Sequence, residues 1–371
     1  MRRREKRRAR PNGPQPNRAR AVPLVADARP GREYNALTST TAPRATRIAD
    51  GREERHMPLA VGVDIGGTKV AAGVVDDDGQ VIDRELRATP GADVVETERV
   101  IAEVVQALAA RHPVVAVGIG AAGWIATDRA TVLFAPHLAW RNEPLRDALS
   151  DRIGTPVTVE NDANAAAWAE YRFGAARGAR IVVCVTLGTG IGGGLVVSGI
   201  LYRGANGVGC EYGHMTVVPD GRRCACGNRG CWEMYASGTA LARDAQELAA
   251  VSPVQAHRLL ELANGNPSQL TGPLVTAAAR EGDPAAVEIY SAMGQWLGRG
   301  LANLAAIIDP SLFVIGGGVS QAGDLLIPPA REMLERTLTG RGYRPMPGIT
   351  LAQFGPEAGL VGAADLARRR V

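Results

Sequence analysis

Short apolar runs separated by glycine turns begin directly after Met57. Three of them, Leu59–Asp64, Val70–Val75 and Val81–Leu86, are separated by Gly66–Thr68 and by the turn signal Asp76–Gly79. Apolar runs bounded by turn residues are typical of paired strands. The pattern therefore predicts three antiparallel strands in succession.

The hydrophobic period then changes to that of a helix. Apolar residues recur every three or four positions around residues 93–111, which predicts an amphipathic helix. Val114–Ile119 and Val157–Val159 predict two further strands, and we expect another helix to start near Ala165. Strands that alternate with helices favour parallel pairing.

The second half of the chain starts with the same order of elements. Ile181–Leu187 is an apolar run, Gly188–Gly194 is a glycine-rich turn, and Leu195–Val197 resumes the strand pattern. A long helix at residues 284–308 and a strand at Leu312–Ile315 follow. The repeated order indicates two related α/β lobes of the pattern βββαβαβα.

These patterns give expected domain boundaries. A small N-terminal lobe spans residues 57–165 and is completed by residues 357–371, whose helix crosses back to it. The larger lobe spans residues 166–356. A ligand site is expected in the cleft between the lobes.

Residues 1–56 differ in composition from the rest of the chain. They are rich in Arg and Pro and show neither a strand nor a helix period, which predicts a disordered basic extension. A start codon assigned too far upstream, with the true start at Met57, would explain them. A real flexible tail and a nucleic-acid-binding arm stay open, whereas the missing amphipathic spacing disfavours a mitochondrial presequence.

The formal net charge of +4 comes from that extension. It holds 15 of the 42 Lys and Arg residues and six of the 38 Asp and Glu residues, which leaves a balance of −5 for residues 57–371. A mildly acidic body argues against nucleic-acid binding by residues 57–371. Neither an apolar run of about 18 residues nor a signal-peptide pattern occurs, so we expect a cytoplasmic protein without a membrane segment.

The first glycine turn carries candidate chemistry. Gly66 and Gly67 let the backbone approach a phosphate, and the Thr68 hydroxyl can point at its oxygens. Asp64, at the end of the strand, is placed to hold the Mg²⁺ that accompanies ATP, through water. An ordinary glycine hairpin is the alternative, and the spacing is not that of a Walker A loop.

The second glycine turn strengthens this interpretation. Five glycines within Gly188–Gly194 exceed what turn geometry needs, because glycine has an entropic cost in folding. Two facing glycine hairpins can clamp the β- and γ-phosphates of ATP from opposite lobes. A third glycine turn, Gly316–Gly318, then suits the adenosine end.

A polar segment from Glu160 to Asn164 lies between a predicted strand and a predicted helix. Asp162 or Asn164 could simply cap the helix, as Asp and Asn often do. Alternatively, Asp162 accepts the proton of a substrate hydroxyl. Its ordinary pKa of about 3.9 makes it a weak base, which suffices in phosphoryl transfer because orientation and late proton acceptance are the main tasks.

One histidine and three cysteines form the most informative motif. They are His214, Cys224, Cys226 and Cys231, joined by short loops that contain glycine. Four such ligands predict a closed, structural zinc site. An iron–sulfur cluster is less favoured, because cysteine-only ligation is commoner there.

Two acidic residues bracket the zinc loop. Glu211 precedes it and Glu233 follows it. Carboxylates held near each other suit a polyol, since each can accept hydrogen bonds from adjacent hydroxyls.

Together these residues resemble the ROK family of bacterial sugar kinases and repressors over residues 57–371. The motifs that carry the resemblance are Asp64–Lys69, Asn161-Asp162, Leu187–Gly194, Glu211-x-Gly213-His214, the three cysteines and Gly316–Val319. Within the family, the chain is most similar to the zinc-containing, ATP-dependent glucose kinases of high-GC Gram-positive bacteria. The segments that carry this closer resemblance are Phe134–His137, Trp140–Pro144 and Gly227–Glu233.

The resemblance implies an actin-like, hexokinase-type two-lobed α/β fold that phosphorylates glucose at its 6-hydroxyl, with Asp162 as the general base. The implied sugar-binding residues are Gly123, Asn161, Asp162, Glu211, His214 and Glu233. The implied nucleotide-binding residues are Asp64, Gly66, Gly67, Thr68, Lys69, Thr189, Gly190, Gly317 and Gly318. His214 would be both a zinc ligand and a sugar contact, and relatives commonly form homodimers or tetramers.

Two alternatives stay open at this point. A kinase of this family for mannose, fructose or an N-acetylated amino sugar would share all these motifs, and polyphosphate could be a second donor. A sugar-responsive repressor of the family would carry a helix-turn-helix ahead of the sugar-binding lobes. The six prolines of residues 1–56 leave no room for two such helices.

Overall fold

The computed structural model describes residues 58–370, so the expectation of a disordered extension at residues 1–56 lies outside the described residues. The strands in this range are β1 (Leu59–Ile65), β2 (Lys69–Val75), β3 (Val81–Ala88), β4 (Val114–Ala121), β5 (Trp124–Ile125), β6 (Val132–Phe134), β7 (Arg141–Glu143), β8 (Val157–Asn161), β9 (Ile181–Leu187), β10 (Ile191–Val197), β11 (Ile200–Tyr202), β12 (Leu312–Gly316) and β13 (Gly348–Leu351). The α-helices are α1 (Val94–Ala109), α2 (Leu145–Ile153), α3 (Asp162–Arg172), α4 (Glu233–Ala236), α5 (Gly238–Val251), α6 (His257–Leu262), α7 (Gly272–Arg280), α8 (Pro284–Ile308), α9 (Gly323–Thr337) and α10 (Ala358–Arg368).

Two five-stranded sheets share one plan. The first has the order β3-β2-β1-β4-β8 and the second has the order β11-β10-β9-β12-β13. In each sheet the first three strands of the chain pair antiparallel and the later two join in parallel. This repetition confirms the predicted two-lobed, duplicated α/β fold. A small third sheet, β5-β6-β7, follows the fourth strand and was not predicted.

The long helices follow the predicted hydrophobic period. The Asp93 carboxylate caps α1 by accepting a hydrogen bond from the Glu96 N–H, as an N-cap should. Asp283 caps α8 in the same way, and the helix ends at Asp309, whose backbone is left-handed at φ 51°. The predicted helices around residues 93–111 and at 284–308 are therefore confirmed.

Two local predictions were wrong. The helix expected to start near Ala165 begins at Asp162, because the Asn161 side chain caps it by accepting from the Asn164 N–H at 2.9 Å. The glycine-rich turn expected to reach Gly194 ends earlier, and β10 already begins at Ile191. The glycines of β10 serve close packing instead, since a Cβ at Gly194 would overlap the methyl group of Ala167 on α3.

Helices α3 and α10 pack against each other between the two sheets. Helix α10 lies on β1 and β4, whereas α3 contacts β9 and β10. Glycines make this close packing possible: a Cβ at Gly62 or Gly118 would overlap the backbone carbonyls of α10. The last helix thus packs on the first sheet, as expected, while the exact lobe boundaries stay a prediction. Within residues 58–370, each helix is too short or too polar to cross a membrane.

A buried carboxylate ties the helix pair together. Asp365 on α10 is 1% exposed. It accepts hydrogen bonds from Trp168 Nε1 at 2.8 Å and Arg172 Nε at 3.1 Å, both on α3. Arg368 Nη2, at 3.0 Å, and Arg369 Nε, at 2.8 Å, complete the set. The Arg368 side chain is itself buried, so Asp365 is its counter-ion.

Asp365→Asn is expected to destabilise the protein by about 3 to 5 kcal/mol, because it leaves the buried Arg368 cation unpaired. Burial raises the pKa of Asp365, but hydrogen bonds from Arg369, Arg368 and Trp168 outweigh burial and hold it below its ordinary value. The stabilisation is therefore complete above the unfolded pKa of about 3.9 and is lost as the pH falls through the folded pKa.

Chemical denaturation of both proteins across the acid range checks this expectation. The difference in free energy of unfolding should be constant above about pH 5 and shrink below about pH 4. Glu247→Gln is the control, since it removes an exposed carboxylate paired with Arg222 at 2.7 Å and should cost less than about 1 kcal/mol. A similarly small loss for Asp365→Asn would contradict the assigned role.

Candidate active site

A cavity of about 170 Å³ lies where the two sheets and the helix pair meet. Asp64 at the end of β1 and Asp162 at the start of α3 line one side. Thr186 of β9 and the glycines Gly316 and Gly317 after β12 line the other. The carboxyl ends of parallel strands are the usual place for ligands in α/β sheets. The cavity therefore occupies the predicted cleft.

Asp162 is held by its neighbour in the chain. The Asn161 side-chain amide donates to Asp162 Oδ1 at 3.0 Å and to the Gly123 carbonyl at 3.1 Å. Asn161, not Asp162 or Asn164, also provides the helix cap, so Asp162 is not needed for that purpose. Burial raises the pKa of Asp162, while hydrogen bonds from its own N–H, the Ala163 N–H and Asn161 oppose the rise without cancelling it.

A second carboxyl, Asp64, lies close enough to interact with Asp162. Burial and, to a smaller extent, the Asp162 charge raise the pKa of Asp64 to about 7, although Lys69 acts in the opposite direction. Gly359 of α10 leaves room for the carboxyl, because a Cβ there would approach it to 3.3 Å. Two acidic groups that disfavour each other's ionisation suit a divalent cation, which removes the repulsion. The residues therefore fit the predicted Mg²⁺.

The first glycine turn presents its backbone to solvent. Gly66 N–H donates to the Lys69 carbonyl at 3.0 Å and closes the turn. Thr89 supports it from behind, donating through its hydroxyl to the Gly66 carbonyl at 2.9 Å and through its N–H to the Thr68 carbonyl at 3.1 Å. Gly67, Thr68 and Lys69 stay exposed. Their N–H and side-chain groups are free to face an anion.

His137 also lies at this turn, a position that spacing along the chain did not predict. A Cβ at Gly67 would come within 3.1 Å of the His137 Cβ. The requirement for glycine at position 67 therefore comes partly from this contact.

The second glycine turn comprises Gly188, Thr189 and Gly190. Gly188 N–H donates to the Gly190 carbonyl at 3.0 Å, and Thr189 is exposed. A Cβ at Gly190 would overlap Glu233 Oε2, so glycine lets the turn approach that carboxylate. Gly317 is left-handed at φ 83°, and a Cβ there would overlap the backbone of Leu187. The turn after β12 thus packs on the second glycine turn.

The structure brings the four predicted metal ligands together. One ligand atom from each of His214, Cys224, Cys226 and Cys231 lies within 4.8 Å of all the others. His214 Nδ1 is 3.6 Å from Cys224 Sγ, and Cys226 Sγ is 3.6 Å from Cys231 Sγ. A zinc tetrahedron with bonds of about 2.3 Å has edges of roughly 3.7 Å. The donor set and its spacing fit structural zinc.

The two ring nitrogens of His214 have different neighbours. Its Nδ1 faces the cysteines, and its Nε2 is 4.0 Å from Glu211 Oε2. Glu233 Oε1 is 3.5 Å from His214 Nδ1 and 3.0 Å from Cys224 Sγ. The predicted sugar-binding residues Glu211, His214 and Glu233 are thus neighbours at the cluster of potential metal ligands.

The carboxylates of the two sides interact across the cleft. The pKa of Glu211 is raised, chiefly by burial and also by the charges of Asp162 and Glu233. His214 and a hydrogen bond with Trp124 oppose this rise. Trp124, which is 43% exposed, was not predicted to lie at the site. Its position directly after Gly123, a predicted sugar contact, was the feature of the sequence that could have placed it at the site.

Gly123 lies beside Asn161, the neighbour of Asp162, rather than in an open loop. Its carbonyl accepts from Asn161, and a Cβ would overlap the Phe134 carbonyl of β6. Gly318 differs from the other predicted glycines, since a Cβ there would meet no atom within 4 Å among the described residues.

Comparison with known proteins finds relatives over most of the chain. A model described as the ROK family matches residues 60–370. The glucokinase of Streptomyces coelicolor is 50% identical over 312 residues, covering 84% of this chain and 98% of that protein. A crystal structure of a ROK family glucokinase from Streptomyces griseus, in complex with glucose and AMPPNP, is 51% identical with a TM-score of 0.78 and covers 84% of this chain and 99% of that one. The xylose repressor of Bacillus subtilis is 28% identical over 309 residues, covering 81% of this chain and 75% of that protein.

Proposed function

The chain belongs to the ROK family, and we propose that it is a kinase that transfers the γ-phosphoryl group of ATP to glucose. The observation that carries this proposal is the position of Asp162, which lines one cavity with Asp64 and the turn at Gly316 and Gly317, and whose charge acts on Glu211. The glucokinase of S. coelicolor and the S. griseus structure with glucose and AMPPNP support both substrates.

Asp162 is proposed to act on the 6-hydroxyl of the sugar. The hydroxyl oxygen forms a bond to the γ-phosphorus while the bond between that phosphorus and the β–γ bridging oxygen breaks, and ADP leaves. The hydroxyl proton passes to Asp162. Its raised pKa makes it a better acceptor than an exposed aspartate, and Asn161 holds its carboxylate in place. The orientation of the two substrates supplies most of the remaining rate enhancement.

The nucleotide is proposed to lie along the glycine turns. Thr68, Lys69, Thr189 and Gly190 would face the β- and γ-phosphates from opposite sides, since both turns expose their backbone. Gly66 and Gly67 keep the first turn open, and Gly317 and Gly318 would face the adenosine end. Mg²⁺, when bound near Asp64, neutralises charge on the phosphates.

The sugar is proposed to be held by the segment that zinc stabilises. Glu211, Glu233 and Asn161 offer carboxylate and amide groups to its hydroxyls, with His214 Nε2 and Gly123 beside them. Zinc, when bound by His214, Cys224, Cys226 and Cys231, would keep this loop rigid; its closed set of four ligands leaves no position for substrate.

The hexose preference is the part of the proposal that a direct comparison tests. Measuring kcat/KM for glucose, mannose, fructose and N-acetylglucosamine with saturating ATP should give glucose the highest value. A missing or wrongly placed hydroxyl leaves a buried partner unpaired and typically costs more than 10-fold. A preference for the acetylated sugar would contradict glucose as the substrate, and faster turnover with polyphosphate would contradict ATP as the main donor.

The repressor alternative is less favoured. The chain resembles a xylose repressor over 75% of that protein at 28% identity. Its own cavity brings Asp162 and Asp64 together, and sugar sensing alone requires neither a proton acceptor nor a cation ligand there. A cytoplasmic location and a homodimer or homotetramer stay predictions.

A further inference from the structure

A buried glutamate lies directly behind the proposed base. Glu160 is 2% exposed and is the next-to-last residue of β8. Its Oε1 accepts hydrogen bonds from the Asn161 N–H at 3.1 Å and from Asn164 Nδ2 at 3.2 Å. These two residues bracket Asp162. Glu160 therefore supports the strand–helix junction that presents the base to the cleft.

The other oxygen of this carboxylate is held from the second sheet. Arg203, which follows β11, directs Nε at 2.8 Å and Nη2 at 2.7 Å to Glu160 Oε2. The Arg203 carbonyl accepts from the Gly209 N–H at 2.9 Å, two residues before Glu211. In the same loop, a Cβ at Gly207 would overlap the Ile125 carbonyl of β5. One arginine thus connects the base junction to the loop that carries Glu211.

A second arginine lies beside the same carboxylate without a comparable contact. Arg129 Nε is 3.4 Å from Glu160 Oε2, and its side chain is 8% exposed. Within residues 58–370, Arg129 Nε and Nη2 find no hydrogen-bond partner. Its backbone carbonyl accepts from the Val159 N–H at 3.1 Å, so it is anchored to the first sheet. Of these two arginines, Arg203 is therefore hydrogen-bonded to Glu160, whereas Arg129 is close to it without a hydrogen bond.

We propose that Glu160 and Arg203 form a positioning pair that sets Asp162 against the Glu211 loop for phosphoryl transfer. The inference rests on the proposed function. The pair acts through Asn161 and Gly209, and touches neither substrate. Arg129 keeps the buried Glu160 charge compensated when Arg203 is absent, which separates positioning from folding. Such a pair matters for rate because small displacements of reacting groups are costly.

Three variants of the two arginines test the proposal. Arg203→Met should lower kcat for glucose by on the order of 10- to 100-fold. The KM for ATP should stay within about twofold and the melting temperature within about 3 °C, because Arg129 still neutralises Glu160. Arg203→Lys should recover part of kcat, since it restores the charge but not the paired N–H groups. Arg129→Met is the matched control and should keep kcat within about twofold.

If Arg203→Met and Arg129→Met lose kcat equally, and both losses accompany lower melting temperatures, the pair has no positioning role. Wild-type kcat in Arg203→Met would overturn it as well. Where Arg203→Met does not fold, Arg203→Lys carries the test, and an unchanged kcat in that variant overturns the proposal. An inactive wild-type protein contradicts the proposed function and with it the pair, whereas an active wild type with an equally active Arg203→Met contradicts the pair alone.

Discussion

Asp162→Asn should lower kcat for glucose by about 100- to 10,000-fold, the usual contribution of a general base. Asparagine has the size of aspartate and fits the first helical position, so α3 should keep its start and its Asn161 cap. It cannot accept the hydroxyl proton, however, so the transition state loses its acceptor. The KM values for glucose and ATP should change far less than kcat, because the binding groups stay in place.

Steady-state kinetics with both substrates varied measure this effect. Asp147→Asn is a matched control, since Asp147 also lies in the first turn of a helix, α2, but is exposed and paired with Arg146. Its kcat should equal that of the wild type. An Asp162→Asn protein with kcat within tenfold of wild type would show that another group accepts the proton.

Cys226→Ser should remove zinc and weaken glucose binding more than ATP binding. Cys226 is one of the four clustered ligands, and its loss opens the set. Without the metal, the loop that carries His214 and Glu233 loses its cross-link, so the KM for glucose should rise about 10- to 100-fold. The glycine turns lie outside the cluster, so the KM for ATP should stay within about twofold.

Metal analysis together with the two KM values checks this expectation. Cys210→Ser is the matched control, because Cys210 lies next to Glu211 but outside the ligand set, and its Sγ has a long contact of 3.8 Å with the Tyr202 carbonyl. That variant should retain one zinc per chain. Zinc loss in Cys226→Ser with unchanged glucose binding would separate the metal from the sugar site.

Features encoded by short stretches of sequence were predictable. The metal ligands lie within His214–Cys231, so spacing alone brought them together. The two glycine turns each join adjacent strands, and apolar runs predicted every strand of the first sheet and three of the five strands of the second, β11 and β13 being missed. In each case the partners are close in the chain, and local geometry decides the contact.

Contacts between distant segments were not predictable from spacing. Arg203 and Glu160 are 43 positions apart and meet only in the folded chain. Trp124 and Glu211 are likewise far apart in the sequence and interact only after folding. The glycines of β10 were assigned to the phosphate-binding turn, whereas Gly192 and Gly194 admit α3 at close range and Gly193 admits the Tyr212 ring.

The central claim is that this cleft transfers phosphate from ATP to glucose with Asp162 as the acceptor of the proton. The most direct measurement is the product ratio for the purified wild-type protein with ATP, Mg²⁺ and glucose. We predict one glucose 6-phosphate for each ADP formed, and no ADP when glucose is omitted. ADP formation that is independent of glucose, or glucose binding without any sugar phosphate, would contradict it.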